Sequence, residues 1–120
     1  MWIGDENEIR KLLSEWRGTN GQVWQYACGH GTLLVRLFRP KSKSSLFIQC
    51  KDCRTIKFSS MGWKDVNLAF RQKQNPLQNE EDFKFEIEDG DRFYAACWAV
   101  HLLESEKMVF IDWPPGKEIS

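Results

Sequence analysis

From about residue 22 onward the chain consists of short apolar stretches separated by turn residues, and this pattern restricts its fold more than any other feature. Residues 83–87, FKFEI, are the clearest stretch. Phe83, Phe85 and Ile87 alternate with Lys84 and Glu86, the period of two that puts three large side chains on one face of a strand. Glu88-Asp89-Gly90 fits a three-residue hairpin loop with glycine in the left-handed position. In that register Phe85 lies opposite Phe93 and Phe83 opposite Ala95. The apolar faces then agree, so residues 92–101 read as the returning strand. Phe93, Cys97, Val100 and Leu103 also fit a helical stripe, but the hairpin favours the strand.

The same reading extends in both directions. Asn20-Gly21 signals a turn, after which Val23, Trp24, Tyr26 and Cys28 suit a strand and Gly29-His30-Gly31 a turn. Residues 33–38 form a second strand and residues 39–45, RPKSKSS, a polar loop. Residues 46–50 and 55–58 flank a Cys-Lys-Asp-Cys turn. Residues 71–82 are polar and interrupted by Pro76, and residues 108–113 make a last strand before Pro114-Pro115-Gly116. A helix is expected only at residues 5–17. Asp5 caps it, with Glu8 three positions on, and Ile9, Leu12, Leu13 and Trp16 form one apolar stripe. Arg17 complements its dipole and Gly18 ends it.

These elements make a single domain, 1–120, of the α+β class and mainly β. The N-terminal helix (5–17) packs on an antiparallel sheet of six or seven strands folded as a small sandwich or half-barrel. Its parts are a pair of candidate metal-site hairpins (22–58), a polar connection (71–82) and C-terminal strands (83–113). Six Trp, eight Phe and two Tyr supply the core. No apolar run approaches a membrane span and no signal peptide opens the chain, so the expected compartment is the cytoplasm.

In a reducing compartment, clustered cysteines suggest metal binding or redox chemistry. Cys28 and His30 sit two apart on an expected strand, so both side chains face one side. Cys50 and Cys53 bracket a tight turn. Three thiolates and one imidazole make the tetrahedral set of a structural zinc. Over residues 24–58 this layout resembles a zinc ribbon, which implies structural zinc and hairpins able to lie along a phosphate backbone. The Cys-x-His spacing departs from the usual knuckle and requires an extended chain there. Cys97 and His101 are alternative ligands if their segments come close. The competing readings are free thiols without metal, or a redox pair at Cys50/Cys53. An active Cys-x-x-Cys usually opens a helix, and here a strand follows. No phosphate loop, nucleophile elbow or other catalytic constellation is present, so no catalytic residue is assigned.

Net charge is zero, but its distribution is uneven. Residues 31–75 carry ten basic and two acidic residues, +8, whereas residues 76–120 carry four basic and eleven acidic, −7. Packing of the two halves against each other explains this most simply. The sharper reading is an anion-contacting surface formed by Arg36, Arg39, Lys41, Lys43, Lys51, Arg54 and Lys57. The balance of charge makes a protein partner the first expectation and nucleic acid the second. The function expected is that of a small non-catalytic binding domain, zinc-stabilised, with no membrane association. A thiol-redox enzyme using Cys50/Cys53, a nucleic-acid-binding zinc-ribbon-like module and a structural or inhibitory subunit of an assembly are the alternatives.

Overall fold

A computed structural model describes residues 1–77 and 82–111. Helix α1, Glu6–Glu15, is capped by Asp5, whose carboxylate accepts a hydrogen bond from Glu8 N–H at 3.1 Å. Nine strands follow among the described residues: β1 Asn20–Ala27, β2 Thr32–Phe38, β3 Ser45–Lys51, β4 Thr55–Phe58, β5 Gly62–Trp63, β6 Ala69–Gln72, β7 Phe85–Asp89, β8 Phe93–Cys97 and β9 Ala99–Ser105. They make two antiparallel sheets packed together, one in the order β5-β1-β2-β3-β9 and the other β4-β8-β7-β6. No described helix is long and apolar enough to cross a membrane.

Alternation builds the core from both sheets. Leu33, Val35 and Leu37 of β2 pair with Cys50, Ile48 and Leu46 of β3, and all six are buried on the inner face. Phe70, Ile87 and Ala95 stand in register across the second sheet and face them. Helix α1 adds Ile9, Leu13 and Trp16 to the same core. It lies beside β6, with the Arg10 guanidinium 5.2 Å from the Phe70 ring centre. The first sheet is also covered outside, where Leu34 and Phe47 are fully buried beneath Ile111 and neighbouring Trp2, Trp24 and Val109. This second cluster explains why β2 and β3 are apolar on both faces.

Several details differ from the sequence reading. Asn20-Gly21 is no turn but the start of β1. Glycine is needed there because a Cβ would sit 2.8 Å from the Trp63 ring. Cys28 leaves the strand and joins His30 in a 3-10 turn closed by left-handed Gly31. The hairpin tip lies at residues 90–92, two residues beyond the expected loop at 88–90, so Phe85 pairs with Cys97 and Ile87 with Ala95. An even shift keeps the same face inward. Residues 93–105 are strand rather than helix, but broken at Trp98, where the chain passes between sheets, and Arg92 belongs to the hairpin tip. Strands β3 and β4 likewise belong to different sheets, so the Cys-Lys-Asp-Cys turn is a crossover and not a hairpin. The polar connection is shorter than expected because β6 runs to Gln72; residues 78–81 lie outside the described residues. Residues 108–111 are not a strand, and the rest of that expected strand, 112–113, lies outside the described residues.

Candidate functional site

Two crossovers meet at one corner of the sandwich. The chain leaves β3 for β4 through Asp52, whose left-handed φ of 55° makes the sharp bend. It returns from β8 to β9 through Trp98. Backbone bonds fasten the two passages together: Arg54 N–H donates to Ala96 O at 2.7 Å and Trp98 N–H to Lys51 O at 3.1 Å. The Asp82 carbonyl locks them further, accepting from Arg54 Nε and Trp98 Nε1, both at 3.1 Å. The 3-10 turn of Cys28 and His30 leans on the same corner, with Cys53 N–H donating to Gly31 O at 2.9 Å. A Cβ on Gly31 would lie 3.3 Å from Cys53 N. Glycine permits both that approach and the positive φ.

The corner gathers three thiols. Cys50 and Cys97 are fully buried, one from each sheet, and half-buried Cys53 packs against them. Cys53 Sγ donates to Cys50 O at 3.4 Å, and Cys97 belongs to the same buried cluster. The Cys97 contact, reinforced by burial, pushes the Cys53 thiol far above its ordinary range. Contact with Cys50, together with burial, likewise raises Cys97. Burial, helped by Cys28 and Cys53, raises the Tyr26 hydroxyl.

Of the four candidate zinc ligands, the structure brings Cys50 and Cys53 to this cluster. Cys28 stands exposed on the adjoining turn, and the His30 side chain lies outside the described residues. Among the described residues no three His, Cys, Asp or Glu side chains form a metal-holding group. The expected extended geometry at Cys28 and His30 is replaced by the 3-10 turn. His101 is not an alternative ligand here. It sits opposite Gln49, one position from inward-facing Val100 and so on the outer face. Its Nδ1 has no hydrogen-bond partner among the described residues, and burial, with Lys51 nearby, lowers its pKa. Cys97 does approach the thiols, as the alternative required.

A groove of about 560 Å³ opens beside the thiols, along the flank where the sheets part. Val23 and Tyr26 of β1 form one wall, Ile56 and Phe58 of β4 the other, with Cys53 and Met61 completing it. Strand β4 is the outermost strand of its sheet. Strand β1 pairs with short β5 only at Gly21 and Gln22, so its rim beyond Val23 has no ladder partner among the described residues.

The basic residues do not gather into one surface. Arg36 lies between Trp24 and Phe38, its guanidinium 5.5 and 4.6 Å from their rings, and donates to Ser45 Oγ at 3.0 Å. Arg39 covers Trp16 at 4.2 Å and donates to Glu15 O at 3.0 Å. Arg54 holds the crossover. Lys41 and Lys43 sit beyond one end of β3 and Lys51 at the other, roughly 20 Å along the strand. Lys57 lies on the other sheet. The charge halves do meet: Arg71 pairs with Glu88 at 2.9 Å and Lys73 with Asp82.

The fold and site thus define a helix-capped, two-sheet antiparallel sandwich with a thiol-lined corner and an open apolar flank. Comparison with protein-family models, with characterised proteins and with solved structures finds no match.

Proposed function

We propose that this chain is a non-catalytic binding domain that takes an extended segment of a protein partner into the groove between β1 and β4. The observation that carries this reading is the combination of two strand rims that have no ladder partner among the described residues with exposed apolar side chains between them. Tyr26 is 48% exposed, Phe58 41% and Met61 58%. A strand added to a free rim gains main-chain hydrogen bonds, and adjoining pockets select its side chains. A redox role for Cys50/Cys53 is disfavoured because Cys50 is fully buried and the raised Cys53 thiol is a poor nucleophile. The dispersed basic residues disfavour nucleic acid.

Random peptides displayed on phage and selected on the immobilised protein test this reading. Selected peptides, titrated with isotope-labelled protein, should shift the amide resonances of β1 and β4. Phe58→Asp should abolish binding without changing the melting temperature. Peptides that map elsewhere, or that bind Phe58→Asp equally well, would refute the groove.

A structural zinc is a second reading, favoured by the Gly31–Cys53 hydrogen bond, which joins the Cys28–His30 turn to the Cys50–Cys53 turn. The ligands are then Cys28, His30, Cys50 and Cys53. Reduced protein prepared without chelators should hold about one zinc per chain, released by Cys50→Ser. Substoichiometric zinc removes this reading and leaves the groove reading standing.

A further inference from the structure

Residues 109–111 run alongside the groove, each held to a β1 residue that lines it. Trp24 Nε1–H donates to Val109 O at 2.8 Å, and the Trp24 and Phe110 ring centres lie 5.7 Å apart. Ile111 N–H then donates to Gln25 Oε1 at 2.6 Å. Trp24 and Gln25 both belong to the groove lining, so three successive contacts lead the backbone to its rim. Beyond Ile111 the sequence continues with residues 112–120, DWPPGKEIS, outside the described residues. A stretch of that length reaches roughly 30 Å when extended, whereas the β4 wall, Thr55–Phe58, is roughly 13 Å long. Past Val23 the β1 rim has no ladder partner among the described residues, so no described strand bars the short way over it.

The composition of that stretch suits the groove. Proline fixes its own φ and drives the residue before it towards extended backbone. A Trp-Pro-Pro sequence therefore favours the polyproline conformation, which loses little entropy on docking into an aromatic-lined groove. Tyr26 and Phe58 supply aromatic rings from the two walls, with exposed Met61 beside them.

We propose that residues 112–120 dock in the groove of their own chain, with Trp113, Pro114 and Pro115 packed between Tyr26 and Phe58. The proposal rests on the reading of the groove as a site for extended segments, and adds that a partner must displace an internal competitor. A tether this short gives an effective concentration on the order of 1 mM. A segment whose own Kd is about 1 mM is then docked about half the time and weakens partner binding about twofold.

Nuclear Overhauser spectra of the isotope-labelled full chain decide the matter. The Trp113 ring and the two proline rings should show contacts to Tyr26, Phe58 and Met61. An isotope-filtered mixture of labelled and unlabelled chains should show none of them, because segment and groove belong to one molecule. Trp113→Ala should shift the β1 and β4 amide resonances, and peptides selected on the groove should bind that variant about twofold more tightly. The proposal is overturned by absent contacts, by contacts to Leu34 and Phe47 on the outer face instead, or by contacts between copies. An unchanged peptide affinity in Trp113→Ala overturns it as well. The wild-type contacts are read without any variant, so poor folding of Trp113→Ala does not weaken the test. Internal contacts with no groove-binding peptide leave this proposal standing and remove the partner reading, whereas bound peptides without internal contacts do the reverse.

Discussion

Trp16→Ala is expected to leave the domain marginally folded or unfolded at body temperature. Trp16 ends α1, is 2% exposed and belongs to the central core with Ile9 and Leu13. Arg39 covers its ring and ties down the helix end through Glu15 O, so truncation also removes a packing surface from the β2–β3 loop. Removing a buried Trp costs roughly 3–5 kcal/mol, against the roughly 5–15 kcal/mol that holds a domain folded. Lys11→Ala, on the exposed face of the same helix, should change stability by less than about 0.5 kcal/mol. Urea denaturation followed by circular dichroism separates the two. Equal, small effects would mean that the helix is not docked.

Asp89→Ala should produce the second large loss, on the order of 3 kcal/mol. The Asp89 carboxylate is buried and accepts from Trp63 Nε1 and Asn67 N–H, both at 2.9 Å, and from Arg92 at 2.8 Å. Alanine leaves the buried Trp63 Nε1–H without its acceptor, frees the part-buried Asn67 N–H, and removes the carboxylate from Arg92. Burial alone would raise the Asp89 pKa, but the Asn67, Arg92 and Trp63 hydrogen bonds together outweigh it and hold it down. Its folded value therefore lies below its unfolded value. The resulting stability is fully present above the unfolded pKa, about 3.9, and is lost as pH falls through the folded one. Asp82, held at about 2 by Lys73 and the Leu77 and Phe83 amides, adds to the same acid limb. Melting temperature should thus decline below about pH 4, and Asp89→Asn should flatten the decline. An unchanged acid limb in Asp89→Asn would show that the carboxylate contributes no charge-dependent stability.

Helix α1 was legible because its signals are local: Asp5, Glu8 and the Ile9–Leu13–Trp16 stripe all fall within three turns. Strands were legible through their period of two. Their junctions were not, because each is decided by something distant in sequence. Asp89 looked like a turn residue, yet its bonds to Trp63 and Asn67 hold it in β7 and push the hairpin tip outward. Gly21 resembled half of a turn, but the Trp63 ring passing over it is what requires a glycine. Phe47 occupies a core as its aromatic character suggests, whereas Phe58 is exposed on the groove because β4 ends its sheet. The thiol cluster depends on two crossovers reaching one corner, which no spacing near Cys53 encodes. The pair Cys50/Cys53 was visible from its spacing, whereas Cys97 entered the sequence reading only as an alternative that depended on its segment coming close.

The order of strands has a consequence for the chain as it is made. Strand β9 pairs with β3 along its whole length, and Leu102 also bridges Ile3 on the opposite side. The last strand of the sheet is therefore slotted between two segments translated well before it. After Lys51 has been added, synthesis must continue to Ser105 before β3 can acquire its second neighbour. At roughly 5–20 residues per second this leaves the apolar LFIQC rim bare for about 3–10 s. An unpaired apolar rim is a template for another chain. The hazard to a nascent molecule thus comes from the middle of its sequence and ends only when β9 leaves the ribosome.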